Sequence, residues 1–208
     1  MTHPAGRRSR AIRDTRASRT SRREALLDAA VAAIRREGPG ASMRQMAAEA
    51  GITKPILYRY FGDRDGLLTA MATRFADQVT ARLQEATEAA GPHPRAALAA
   101  GIEAWLEVME EDIALYRFLA QRSSIAGPAV ATVVDRVAQP LTQQIGATLR
   151  DAGADSGAAE AWAYGIVGMA HMAGLRWLSH PTVPRAQLVE YLVALVWNGM
   201  PGFTRRHQ

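Results

Sequence analysis

Apolar side chains return every three to four positions along most of this chain, and alternation with a period of two is scarce. The first clear stripe, with Leu26, Leu27, Ala30 and Ile34, predicts a helix from about Ser21 to Glu37, ended by Gly38-Pro39-Gly40. Two short helices follow, about Met43–Ala50 and Lys54–Phe61. Asp63 can cap a long one, Arg64 to about Ala90, which stops at Gly91-Pro92-His93-Pro94. Further helices are expected at about Arg95–Glu110, Ile113–Ser123, Pro128–Asp151, Ser156–Ser179 and Arg185–Asn198. Gly127-Pro128, Gly153 and the pair Pro181 and Pro184 separate them. The layout is all-α with about nine helices and a functional boundary near Asp63.

Composition narrows this picture. Of 208 residues, 48% are apolar, enough to bury a substantial core. There is no cysteine, which removes disulfides, thiolate nucleophiles and thiolate metal sites. The most apolar segment, Ala161 to Leu175, is interrupted by three glycines and His171, so no membrane span is expected and the cytoplasm is the default location.

Charge is uneven. Residues 1–64 hold fourteen Lys and Arg against six Asp and Glu, whereas residues 65–208 hold eleven against fourteen. A basic N-terminal third on a mildly acidic remainder is the footprint of a nucleic-acid binder. Preference for Arg codons would explain one Lys among 25 cations, but not their asymmetry.

The segment Met43–Tyr60 has the requirements of a helix-turn-helix. A small residue must stand where the second helix crosses the first, and this is Ala47. The tight turn favours positive φ, which Gly51 adopts without penalty. Met46, Ala50, Ile52, Leu57 and Tyr60 occupy inward positions. Ser42 and Thr53 stand where each short helix needs an N-cap, and Pro55 falls in a first turn where its missing N–H costs little.

With Arg22-Arg23-Glu24-Ala25-Leu26-Leu27-Asp28-Ala29-Ala30, Gly38 and the stretch Ala41–Met71, the chain resembles the tetracycline-repressor (TetR) family. The most specific part is Gly51-Ile52-Thr53, then Leu57-Tyr58-Arg59-Tyr60-Phe61, then Arg64 with Leu67-Leu68. The family often carries Lys at the position of Arg64, and the charge is preserved. The resemblance implies an N-terminal three-helix DNA-binding domain, residues 21–66, preceded by an Arg-rich arm, 1–20, that is disordered in isolation. A C-terminal helical bundle, 67–208, would bind an effector and dimerise. The partners implied are a palindromic double-stranded operator, a second copy of the chain and a small effector, with no cofactor and no membrane.

The second short helix should enter the major groove with its N-terminal residues toward base edges. Lys54, Pro55, Ile56 and Arg59 are the base-facing candidates: Lys54 can donate to guanine, and Pro55 and Ile56 can touch a thymine methyl. Arg44 can reach a base or a phosphate. Ser42, Thr53, Tyr58, Tyr60 and Arg64 fit phosphate contacts, which set register without reading sequence. Tyr58 and Tyr60 stand about 200° apart on a helix, so both cannot face the core. The Arg-rich arm is either a minor-groove element or a solubilising tail.

In the C-terminal part, Gly165, Gly168 and Gly174 lie among alanines on one helix, where each glycine costs roughly 1 kcal/mol relative to alanine. Close helix approach would explain them, either within one subunit or across a four-helix dimer interface with the last helix, whose apolar residues include Tyr191, Leu195 and Trp197. Pocket candidates are the large adaptable residues Trp105, Met109, Tyr116, Phe118, Trp162, Met169, Met172 and Trp177, and any of these can equally be core. His171, Arg176 and Arg122 could address a polar end of a lipophilic, aromatic or acyl-chain effector.

No catalytic constellation stands out. His3, His93, His171, His180 and His207 lack metal-ligand spacing, and the run Glu103, Glu107, Glu110, Glu111, Asp112 reads as a solvated helix face. The chain is expected to be no enzyme. An architectural DNA-binding protein without effector, or a helical-bundle enzyme, are the competing readings.

Overall fold

The computed structural model describes residues 5–121 and 128–199, with side chains for 18–119 and 131–199. Among the described residues the chain forms nine α-helices and no strand. These are α1 (Ala5–Glu37), α2 (Met43–Glu49), α3 (Lys54–Phe61), α4 (Arg64–Ala89), α5 (Pro94–Glu111), α6 (Ile113–Gln121), α7 (Pro128–Asp151), α8 (Ala159–Ser179) and α9 (Arg185–Asn198). None is long and apolar enough to cross a membrane.

The boundaries follow local chemistry. At the end of α2, Gly51 takes φ +66°, its N–H reaches Ala48 O at 3.0 Å, and Ile52 N–H reaches Ala47 O at 3.0 Å. This is a Schellman cap, which satisfies carbonyls that the helix itself leaves unpaired. The expected helix from Ser156 is split instead. The Asp155 carboxylate accepts the Gly157 N–H at 2.8 Å, and Ser156–Ala158 form a tighter 3-10 turn before α8.

α1 begins at Ala5 rather than Ser21, so the expected disordered arm continues the helical backbone. Leu26, Leu27, Ala30, Val31, Ala33 and Ile34 are buried and hold the second half of α1 in place. With nucleation already met there, each residue added toward the N-terminus gains one hydrogen bond, and Arg and Ala form helix readily. No glycine or proline interrupts the chain between Arg7 and Glu37. The side chains of Arg7, Arg8, Arg10, Arg13 and Arg16 lie outside those described.

α4 carries one hydrophobic core through both halves. Its Leu67, Leu68 and Met71 are buried near the start, and Phe75, Ala76 and Val79 further along. It packs on α5 and α7; α7 packs in turn on α8, and α5 on α9. Two glycines mark unusually close approaches. A Cβ on Gly66 would lie 1.9 Å from the Phe61 carbonyl oxygen, so the first turn of α4 can sit on the end of α3 only with glycine there. A Cβ on Gly174 would lie 2.9 Å from Leu106 Cδ2 and Met109 Cε, which brings α8 hard against α5.

Ion pairs stitch the helices together. The Arg35 guanidinium on α1 donates to Asp112 at 2.7 and 3.1 Å, and that carboxylate holds the arginine above its ordinary pKa. Arg74 on α4 reaches Asp28 on α1 at 2.6 Å, and Arg82 reaches Glu111 at 2.6 Å. Arg185, the first residue of α9, donates to Glu103 at 2.6 Å, to Glu107 at 3.0 Å and to Glu110. The acidic run on α5 is therefore not a merely solvated face. Its i, i+4, i+7 spacing grips one arginine, and its last two carboxylates serve α4 and α1.

Candidate nucleic-acid interface

α2 and α3 are fixed before any DNA arrives. Ser42 and Gln45 form a reciprocal capping box: the Ser42 hydroxyl accepts the Gln45 N–H at 3.3 Å, and Gln45 Oε1 accepts the Ser42 N–H at 2.8 Å. Met46, Ala47 and Leu57 are buried where the two helices cross, as their positions in the motif require. Thr53 departs from expectation. It occupies the N-cap of α3 but makes no side-chain cap bond, so its hydroxyl is uncommitted. Pro55 removes one N–H from that turn, which lessens the need for a cap. Asp63 does cap α4, accepting the Gly66 N–H at 2.8 Å.

Most of the DNA-contact candidates are open to solvent. Ser42, Arg44, Thr53, Lys54, Pro55, Ile56, Arg59 and Arg64 are all exposed. Tyr58 and Tyr60 are both half-buried, packed against the rim of the core from opposite sides of α3, so neither ring is wholly inside or wholly free. The Lys54 ammonium rests 5.3 Å from the centre of the Tyr58 ring, a cation–π contact that it must leave to reach a base edge. Ser42 spends its hydroxyl on Gln45, which makes Thr53 the freer phosphate donor of the two.

Residues of α1 join this surface. Ser18, Arg19 and Arg22 line a concavity of about 540 Å³ together with Arg59 and Tyr60 of α3. Three arginines around one hollow concentrate positive charge there. Arg19 belonged to the expected arm, and Arg22 had been noted only as part of the motif. Their spacing of three on a helix was the available signal, since it stacks both on one face.

The nine described pocket candidates of the C-terminal half divide between the inside and the surface of the bundle. Trp105, Met109, Tyr116, Phe118 and Trp177 are buried. Trp162 and Met172 are 53% and 46% exposed, and Arg176 is exposed and bonded to His180. Met169 is half-buried, and Arg122 lies outside the described residues. The cause is the phase of α8. Its buried residues Ala159, Ala163, Val167, Ala170, Gly174 and Trp177 recur at intervals of four and three, so that face carries mostly small residues, while Trp162 and Met172 point outward. The three glycines divide likewise: Gly174 serves packing within the chain, whereas a Cβ on Gly165 or Gly168 would meet nothing within 4 Å.

An internal polar cluster does form, from three helices. The Tyr116 hydroxyl and His171 Nδ1 are 3.1 Å apart, and the Trp105 ring lies 6.3 Å from Tyr116 edge-on and 6.1 Å from His171. Burial pushes the tyrosine pKa up and the histidine pKa down, so both stand neutral near pH 7. Phe75 of α4 touches the same cluster, 6.3 Å from Tyr116.

The comparisons with known proteins agree with this architecture. The family described as "Bacterial regulatory proteins, tetR family" matches residues 26–71, and "Tetracyclin repressor-like, C-terminal domain" matches residues 82–207. An HTH-type transcriptional regulator of Mycobacterium tuberculosis is 33% identical over 195 residues, covering 88% of this chain and 79% of that protein. The HTH-type transcriptional activator FasR of Mycolicibacterium smegmatis is 27% identical, covering 95% and 90%. Among solved structures, the transcriptional regulator FadR of Bacillus subtilis, in complex with stearoyl-CoA, superposes with a TM-score of 0.68 at 17% identity, covering 85% and 98%. Helix-turn-helix, basic face and helical bundle thus come together in one assignment: the chain belongs to the tetracycline-repressor family of DNA-binding transcriptional regulators.

Proposed function

We propose that this chain is a dimeric, effector-responsive regulator that holds a palindromic operator and releases it when a lipophilic effector enters the C-terminal bundle. Repression is the simplest output of such release, since an occupied operator obstructs its promoter. The observation that carries the reading is the basic face of α3, where Lys54, Pro55, Ile56 and Arg59 stand exposed beside Arg19 and Arg22. Lys54 and Arg59 would read base edges, Arg44 a base or a phosphate, and Ser42, Thr53, Tyr58, Tyr60 and Arg64 would set register on the backbone.

Dimerisation is supported by the outer surface of α8 and α9. Trp162, Met172, Tyr191, Leu195, Val196 and Trp197 are between 37% and 55% exposed, a concentration of large apolar side chains of the kind that marks an interface. Gly165 and Gly168 would let a second backbone come close. A two-fold pair would set its recognition helices against two half-sites roughly 34–36 Å apart.

Two contacts would carry the effector signal, both through Tyr116. Its ring meets Phe75 on α4, and its N–H bonds to the Asp112 carbonyl at 2.9 Å, while the Asp112 carboxylate holds Arg35 on α1. The FadR neighbour, in complex with stearoyl-CoA, supports a lipophilic effector for a bundle of this shape. Selection of bound duplexes from a random library tests the reading. The expected result is an inverted repeat, bound with an affinity that falls steeply with salt. Absence of sequence preference, or a Trp197→Glu chain that stays dimeric and binds the same repeat, would overturn it.

A further inference from the structure

Two tryptophans are buried in the C-terminal half, and their indole N–H groups fare differently. Trp177 Nε1 donates to the Val183 carbonyl at 2.7 Å. Trp105 is 4% exposed, and its Nε1 has no acceptor. Buried donors are nearly always paired, because leaving one unpaired costs about 1–3 kcal/mol. Trp105 is therefore a donor in want of a partner.

Its surroundings say which partner fits. The Tyr116 hydroxyl and His171 Nδ1 already satisfy one another, and the second histidine nitrogen remains. None of the described charged side chains is buried. The nearest arginines on these helices are committed elsewhere: Arg117 donates to the Leu178 carbonyl at 3.0 Å, and Arg176 is exposed beside His180. An anion brought here would lose its hydration without gaining a countercharge. A neutral acceptor pays far less.

We propose that Trp105 Nε1, beside the Tyr116–His171 pair, binds the carbonyl oxygen of a neutral effector, an amide, ester or ketone rather than a carboxylate. The carbonyl accepts from the indole. This inference rests on the C-terminal bundle being the effector site. It assigns the recognised functional group and the donor that recognises it.

The test uses the full-length dimer with nitrogen-15 in its tryptophan indoles, the Trp105 signal being assigned with Trp105→Phe. The probes are primary amides from butanamide to decanamide and the matching carboxylates. The amides are expected to move the Trp105 indole proton downfield, and the carboxylates are not. Trp105→Phe should weaken amide binding about five-fold, the worth of one neutral hydrogen bond. A Trp105 signal that no amide moves, or carboxylates that bind as well as amides, would overturn the proposal. Operator affinity measured on the same samples separates the two readings. If DNA binding is intact and Trp105 silent, only this inference fails; if DNA binding is absent, the regulatory reading fails with it.

Discussion

The two ends of this molecule handle polar chemistry in opposite ways. At the DNA-binding end the candidate contacts are exposed or, for Tyr58 and Tyr60, half-buried, and the interior holds only apolar side chains such as Met46, Ala47 and Leu57. In the C-terminal half a tyrosine, a histidine and an indole N–H are drawn inside, while Trp162, Tyr191 and Trp197 are left in water. An outward face can be assembled from neighbours in sequence. An inward polar cluster needs partners from distant helices: Tyr116 and His171 are 55 residues apart. Polar placement at one end is local, and at the other it is a property of the fold.

That contrast can be broken most forcefully at Leu57. Truncation to alanine should cost about 2–5 kcal/mol and abolish operator binding, with urea unfolding as the measurement. Because α4 links the two cores, a C-terminal half that unfolds at the same denaturant concentration would show the ends to be one cooperative unit. Lys54→Ala should cost about 1–3 kcal/mol on the preferred operator and little on others, whereas Arg64→Ala should weaken all duplexes alike and lower the salt slope by about one. Equal losses on all duplexes for both variants would remove the division between reading and holding.

Smaller effects separate the two N-caps. Ser42→Ala should lower stability by about 1 kcal/mol, since it breaks the capping box. Thr53→Ala should leave the melting temperature unchanged and show only as weaker DNA binding, because Thr53 makes no cap bond. The smallest effect belongs to the other end and vanishes at neutral pH. Burial lowers the His171 pKa, so the folded state takes up that proton less readily than the unfolded chain, whose ordinary value is 6.5. Stability should therefore fall as pH drops below about 6.5 and level off below the folded value. Thermal melts of His171→Gln should lack this component, and identical pH profiles for the two proteins would refute it.

Much of the scaffold was readable from the sequence because its punctuation is chemical. α3, α7 and α9 run from and to the residues expected, each bounded by glycine, proline or a capping side chain. The extent of α1 was not readable, because its arginines and serines suggest a solvated tail, while the helix propagates outward from a packed half. Of the ten DNA-contact candidates, eight are exposed and Tyr58 and Tyr60 half-buried, as a motif that fixes period and phase leads one to expect. For α8 the period was visible but the phase was not. Size suggested that tryptophan and methionine face inward; Trp177 does, but Trp162 and Met172 do not, and the close contact at Gly174 admits only a small residue there. The Trp105 cluster could not be assembled from any one helix.

The contact between Arg35 and Asp112 sets a mechanical ratio. Arg35 lies near the C-terminal end of α1, and Arg22 and Arg19 are 13 and 16 residues earlier on the same helix. At 1.5 Å per residue they stand roughly 20 and 24 Å from that anchor. A helix of this kind is stiff over such a span, so a tilt of about 5° imposed at Asp112 displaces the distant guanidinium groups by roughly 2 Å. That is most of the difference between a phosphate contact and none. A shift at the base of α6 too small to repack any core would be magnified along α1 into the loss of a grip on DNA.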